Sequence, residues 1–293
     1  LEHFEVRDAL LVTEDHISKA TWVVPKVNAT LDRKANAFDV VLQYQMAGAW
    51  QKSKIELQVK RDKKKRDMRF KGRMDHVDLA LFSSNFFTLR ALDGQKFMFN
   101  TQLSGDLAPD MSLVRLNTLM TSEQGELNLS PTQGAPLSFS DLSANISYDR
   151  DSGKLSVHDT SLLVNDIRIE LSAEHDLKKD AKSLVPVQVR IPQLSFAEIK
   201  ALWPTQYKDL PAAEWLTEKL SEGTIKDLKV FLDVDPKNPL AITTEQVRAS
   251  FDFENLKAVY RAPLIPASAA KGHATIEDDA LKISVEHGKL ADL

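Results

Sequence analysis

The side chains able to do chemistry are few and scattered. Seven histidines, His3, His16, His76, His158, His175, His273 and His287, show neither HExxH nor HxH spacing and no close cluster of carboxylates. Imidazoles so far apart could bind zinc or iron only through long-range assembly, so surface or turn histidines are expected, with no metal and no other cofactor. The chain has no GxSxG, no Walker loop and no dinucleotide-binding glycine pattern, which leaves acyl transfer and nucleotide chemistry without local support. Asp149-Arg150-Asp151-Ser152-Gly153 has the opening of a calcium loop, but Thr160 stands at the twelfth position, where a bidentate Glu is required. A hairpin turn is expected there instead, no catalytic residue is assigned, and the chain is not expected to be an enzyme.

The one basic run is KRDKKKRDMRFKGR, residues 60–73. Such a run could meet anionic lipid headgroups or phosphates. The more ordinary reading is a solvated hairpin tip whose lysines protect a β edge, because Asp62 and Asp67 dilute its charge. Overall the chain carries a net charge of -4 over 293 residues, against the basic excess of general nucleic-acid binders. Its 43% hydrophobic and 27% charged content is ordinary for a folded chain. It has no cysteine, which excludes disulfides and thiolate metal sites. No run approaches the roughly 20 apolar residues of a membrane-spanning helix, and no signal peptide opens the sequence. The chain begins at Leu1 rather than Met and closes on KLADL directly after LKISVEHGKL, so it is expected to be a piece of a longer protein. Any targeting segment or anchor would then lie outside it.

The elements that must position these residues are strands. Apolar residues alternate in Phe38/Val40/Leu42/Tyr44/Met46, Ile55/Leu57/Val59, Phe97/Phe99/Thr101/Leu103 and Leu142/Ala144/Ile146/Tyr148. They do so again in Ile167/Ile169/Leu171, Val185/Val187/Val189/Ile191, Val247/Ala249/Phe251/Phe253 and Leu281/Ile283/Val285. Alternation with period two predicts antiparallel strands with one apolar and one wet face. Acidic and glycine-containing turns, such as Asp93-Gly94 and Asp278-Asp279, separate them. The apolar face suits either a closed sandwich or barrel core or an open curved sheet lining a groove. Residues 79–92 are expected to form a short helix, and 107–120 fit either strand or loop.

One stretch breaks the meander. Ser195 can cap a helix over Phe196–Leu202, which Pro204 would terminate. Pro211 suits a first helical turn, Ala212 to Leu220 have good helix propensity, and Gly223 can take the left-handed conformation of a helix exit. This gives a β segment over 1–194, a helical insert over 195–222 and a continuing β segment over 223–293.

Trp203-Pro204, then Trp215-Leu216, Gly223 and the strand KDLKVFLDV together resemble a signature of the AsmA-like superfamily, YhdP branch. VRASFDFENLKAVYRAPLIPASAAKGHATIEDDALKISVEHGKL is similar in its order of strand, Tyr, Pro, small-residue loop, Gly and strand. The likeness covers roughly 185–293; upstream it is one of style, and Ala212-Ala213 stands where relatives often carry a basic residue. The resemblance implies a mostly β fold, a long curved antiparallel sheet forming an open, taco-like hydrophobic groove. It also implies a bridge-like lipid-transfer protein of the bacterial envelope, anchored in the inner membrane by a segment absent from this chain and lying in the periplasm. Phospholipid is then the expected cargo, and Val40, Leu42, Tyr44, Ile167, Ile169, Leu171, Phe251 and Phe253 are the expected groove lining by strand phase. The rival expectation is a periplasmic scaffold or assembly factor that contacts outer-membrane or other periplasmic proteins through a strand edge.

Overall fold

The computed structural model describes residues 2–14, 21–44, 53–61, 68–79, 95–110, 112–128, 136–179, 183–202, 218–235, 246–259, 266–277 and 280–290. The fold is mostly β and antiparallel. Its strands are β1 (His3–Glu14), β2 (Thr21–Lys34), β3 (Ala37–Tyr44), β4 (Ser53–Arg61), β5 (Met68–Asp78) and β6 (Lys96–Leu107). They continue with β7 (Leu113–Leu127), β8 (Leu137–Asp149), β9 (Lys154–Val164), β10 (Ile167–Asp176) and β11 (Val185–Ser195). The helix α1 (Phe196–Leu202) precedes β12 (Leu220–Ser221), β13 (Thr224–Val234), β14 (Val247–Ala258), β15 (Ala267–Glu277) and β16 (Ala280–Leu290).

The chain forms two compact units. One comprises Leu1–Asn128, Leu137–Thr160 and Glu174–Ala181; the other comprises Leu129–Pro136, Ser161–Ala173 and Lys182–Leu293. Within each unit the strands stand in the open sheet in the order in which they occur in the chain, except the two-residue β12, which pairs with β14. Residues 107–120, open between strand and loop from sequence, resolve into a turn and the start of β7. The Asp149–Gly153 segment is a hairpin turn: the Asp149 carboxylate accepts from the Ser152 N–H at 2.8 Å, and Gly153 has φ +75°. The helix expected over 79–92 lies, beyond Leu79, outside the described residues.

The described part of the basic run, Lys60, Arg61 and Met68–Arg73, lies on β4 and β5, each of which pairs with two neighbours, so these residues do not guard a sheet edge; residues 62–67, where the hairpin tip was expected, lie outside the described residues. The edges belong to β1 and β16.

Most strands are longer than their alternating runs because β-bulges reset the phase. Asp8, Lys26, His76, Asp141, Asp159, Asp227 and Asn255 all have left-handed φ between 46° and 55° inside strands. The pairing register shifts beside several of them, as between Met74 and Val77, Lys226 and Lys229, and Phe253 and Leu256. Each extra residue moves the next apolar side chain from i+2 to i+3 and keeps it on the same face. Neighbouring strands take over the lost ladder bonds. The Asp8 N–H donates to Asn28 Oδ1 and the His76 N–H to Asn100 Oδ1, both at 2.9 Å, while Ser53 Oγ donates to the His76 carbonyl at 2.7 Å.

Helix α1 starts as expected, with Ser195 Oγ accepting from the Glu198 N–H at 3.2 Å. Glu198 completes the box, its carboxylate accepting from the Ser195 N–H at 2.5 Å. That backbone donor, helped by the Ser195 hydroxyl, holds the Glu198 carboxyl below its ordinary value. Gly223, expected to end a helix, instead lies in the turn between β12 and β13; it has φ +84°, and a Cβ there would lie 2.5 Å from the Glu254 carbonyl oxygen, so the turn needs glycine for both torsion and space. Leu220, expected at the end of a helix, pairs instead with Ala258 as part of β12, with its side chain in the core and its backbone on a strand partner. Trp203, Pro204 and residues 211–217 lie outside the described residues.

Ser195→Ala is expected to lower stability by about 1 kcal/mol, measured by chemical denaturation. Because the Glu198 pKa is lowered in the folded state, its contribution is present above the ordinary value of 4.5 and is lost as pH falls through the folded-state value. The stability deficit of Glu198→Gln should therefore shrink on acidification.

Candidate functional site: the apolar face of the sheet

In an antiparallel pair, directly opposed residues project from the same face, so the registers trace rows of side chains across the strands. In the first unit one row runs Phe4, Leu31, Val40, Leu57, Gly72, Leu103, Thr118, Ile146 from β1 to β8. The next runs Val6, Ala29, Leu42, Ile55, Met74, Thr101, Met120, Ala144. A third runs Phe38, Val59, Phe70, Gly105, Leu116, Tyr148 from β3 to β8. The three rows carry no ionisable group except the phenol of Tyr148. Thr101, the polar member of the second row, is buried and donates its hydroxyl to the Leu119 carbonyl at 3.0 Å. Gly105 leaves room for the Phe70 ring, since a Cβ there would lie 2.6 Å from the ring and 2.0 Å from the Arg115 carbonyl oxygen.

The opposite face of these strands is charged. Lys34 Nζ donates to Asp39 at 2.6 Å and Gln58 Nε2 to its other oxygen at 2.8 Å; Lys34 above all holds the Asp39 carboxyl below its ordinary range. Arg73 bonds Asp75 at 2.7 Å, and Arg115 joins Asp149 at 3.2 Å. The first unit is thus an amphipathic sheet, with Arg33 (opposite Phe38) and Arg61 (opposite Met68) bordering its apolar rows.

In the second unit the apolar row runs Leu171, Val189, Val230, Ala249, Ile276, Leu281 across β10, β11, β13, β14, β15 and β16. A parallel row is Leu194, Ile225, Phe253, Gly272, Val285. Here the chain covers its own face. Phe196 and Ile199 of α1 pack with Leu194, Leu220, Ile225, Phe251, Phe253, Leu256, Ala270 and Ala274 into one core. Phe253 fills the space left by Gly272, where a Cβ would lie 2.8 Å from the ring. On the reverse face Arg190 bridges Glu170 at 2.8 Å and Asp227 at 2.6 Å.

The eight candidate lining residues therefore fall into different surroundings. Val40 and Leu42 stand side by side on the first unit's apolar face and are half-buried. Tyr44 pairs with Ser53 on the same strand phase, but its side chain is outside the described residues. Ile167 is buried, while Ile169 and Leu171 are half-buried on β10. Phe251 and Phe253 are 3% and 1% exposed beneath α1, with no surface to offer a ligand while the helix is seated. Sequence phase could not separate them from Val40, since it shows which face a residue takes and not what packs on it. Residues that phase alone passes over, Phe4, Leu31, Phe70, Met74 and Met120, belong to the same rows; β5 in particular was hidden by its charged alternate positions. Among the described residues no group of His, Asp and Glu could hold a metal ion, and no helix is long and apolar enough to cross a membrane. No family model, curated protein or solved structure matches the chain.

Phe253→Ala is expected to destabilise the protein by about 3–5 kcal/mol, against about 1 kcal/mol for Val40→Ala, whose two methyl groups are only half withdrawn from water. Denaturant titration of the two variants checks the difference.

Proposed function

We propose that the chain is a segment of a lipid conduit, shielding phospholipid acyl chains on the apolar face of its sheet without chemical transformation. The observation that carries this reading is the set of apolar rows running from β1 to β8, with ion pairs such as Lys34–Asp39, Arg73–Asp75 and Arg115–Asp149 on the reverse face and Arg33 and Arg61 at the rim of the apolar one. Two acyl chains of about 30 methylenes exposed to water cost on the order of 20 kcal/mol at about 0.8 kcal/mol each. A surface on which every second side chain is apolar offsets most of that without fixing a diffusing lipid in one pocket. The headgroup stays in water beside the sheet. The resemblance to the YhdP branch of AsmA-like proteins supports the same reading. It would place the chain in the periplasm of a bacterial envelope, between an inner-membrane anchor and the outer membrane, with the sheet curved into a groove.

A scaffold role has one observation in its favour. The edge strands carry exposed apolar residues, Leu10 on β1 and Val285 and Leu290 on β16 among them, beside unpaired backbone.

Mass spectrometry of lipids extracted from the purified chain separates the two. The conduit predicts co-purifying phospholipid that is lost in Val40→Asp/Leu42→Asp, with the β circular dichroism retained. Undiminished lipid in that folded double variant would overturn the conduit; a stoichiometric protein partner with no lipid supports the scaffold. Aspartate at Phe251 is not a usable probe, because that side chain is in the core.

A further inference from the structure

The outer edge of the second unit carries the pattern of its core into the open. β16 runs for 11 residues beside β15, and its other side pairs with no strand among the described residues. Across β14, β15 and β16 one row runs Phe251, Ala274, Ile283 and the next Phe253, Gly272, Val285. Phe251, Phe253 and Ala274 are buried, whereas Ile283 is 36% and Val285 58% exposed. Each row thus ends at the edge on an apolar side chain with a neighbour on β15 and none beyond.

Sheet edges are ordinarily blunted by shortness, a proline, a bulge or a charge turned toward the core face. From Ala280 to Val285 the register with β15 is unbroken and there is no proline. Lys282 and Glu286 fall with Ser284, by strand phase, on the face opposite Ile283 and Val285. Both are exposed and make no ion pair among the described residues.

This stretch is complementary to itself. If two β16 strands pair antiparallel with Ser284 opposite its counterpart, Ile283 faces Val285 of the second copy, and Lys282 faces Glu286 of the second copy. A two-fold axis repeats both contacts. The row that ends at Ile283 then continues into the row that ends at Val285, while each lone cation on the reverse face meets a carboxylate. The other edge strand lacks this match: the register of β1 shifts twice between Val6 and Leu11, and its Glu5 and Arg7 already pair with each other at 2.7 Å.

We propose that β16 is a homodimer interface, at which two copies of the chain pair antiparallel about Ser284 and join their sheets edge to edge. The contact does not depend on lipid carriage.

Sedimentation equilibrium of the purified chain over about 1 to 100 μM tests this, with a reversible monomer–dimer equilibrium as the expected result. Lys282→Glu sets two carboxylates against two carboxylates across the axis, and Glu286→Lys sets two cations against two cations. Each should weaken the dimer by roughly tenfold or more, since like charges directly opposed on neighbouring strands repel. The double variant Lys282→Glu/Glu286→Lys should restore it. So should an equimolar mixture of the two single variants, because both pairs are then of opposite sign. Circular dichroism of each variant verifies the fold, as both side chains are exposed. A chain that stays monomeric overturns the proposal, and so does a dimer indifferent to both single reversals or a loss that mixing does not rescue. Growth beyond a dimer also overturns it, because head-to-tail pairing of β16 with β1 would not close. The outcome is independent of the lipid measurement, whose variants Val40→Asp and Leu42→Asp lie in the other unit.

Discussion

The bulged strands of this protein share one constraint: their apolar side chains must stay on one face over a length greater than the pleat alone keeps in phase with its neighbours. A strand's faces alternate strictly, so a single unmatched residue sends everything beyond it to the wrong side. The bulges resolve this locally. A left-handed residue absorbs the extra position, and the next apolar residue returns to its row. Asp, Asn, His or Lys at most of these sites fits the torsion less badly than a branched residue would. The donors and acceptors stranded by the bulge are met by Asn28, Asn100 and Ser53 from adjacent strands. Rows of acyl-like surface and rows of ion pairs can coexist on one thin sheet only because these corrections hold.

What fills the space above the apolar face differs between the units. In the second, the capping box at Ser195 and Glu198 starts a helix whose Phe196 and Ile199 close over Phe251 and Phe253. In the first, the described elements pack against their neighbours along the sheet. A packed aromatic core and a half-buried aliphatic surface come from the same alternating pattern; among the described residues, Phe196 and Ile199 of α1 and Leu220 of β12 are what join the second unit's core.

The sequence made the strand class legible wherever period two ran uninterrupted, as at Phe38–Tyr44 and Val185–Ile191. It also made the helix start at Phe196 legible, because caps are local chemistry, and the left-handed conformation of Gly223, although that glycine turns β12 into β13 and does not end a helix. Strand length was not legible: Phe139 and Leu142 lie three apart, so β8 looked as if it began later, until Asp141 is seen to be left-handed. β5 was obscured for a different reason. Its alternate positions are Arg69, Lys71 and Arg73, and the eye follows charge before it follows Met68, Phe70, Gly72 and Met74. Leu220 shows a third limit, since its helix propensity yields to a backbone partner on β14 that no local window contains.

The strand order has a consequence for how such a chain changes over time. Because sheet order follows chain order within each unit apart from the short β12, each long strand needs only the strands on either side of it. An added hairpin would bring two more members to every row and return the chain in its original direction, disturbing no distant contact. Length in this architecture is therefore open to growth by duplication, one strand pair at a time, with stability rising by increments as in other arrays of nearest-neighbour units.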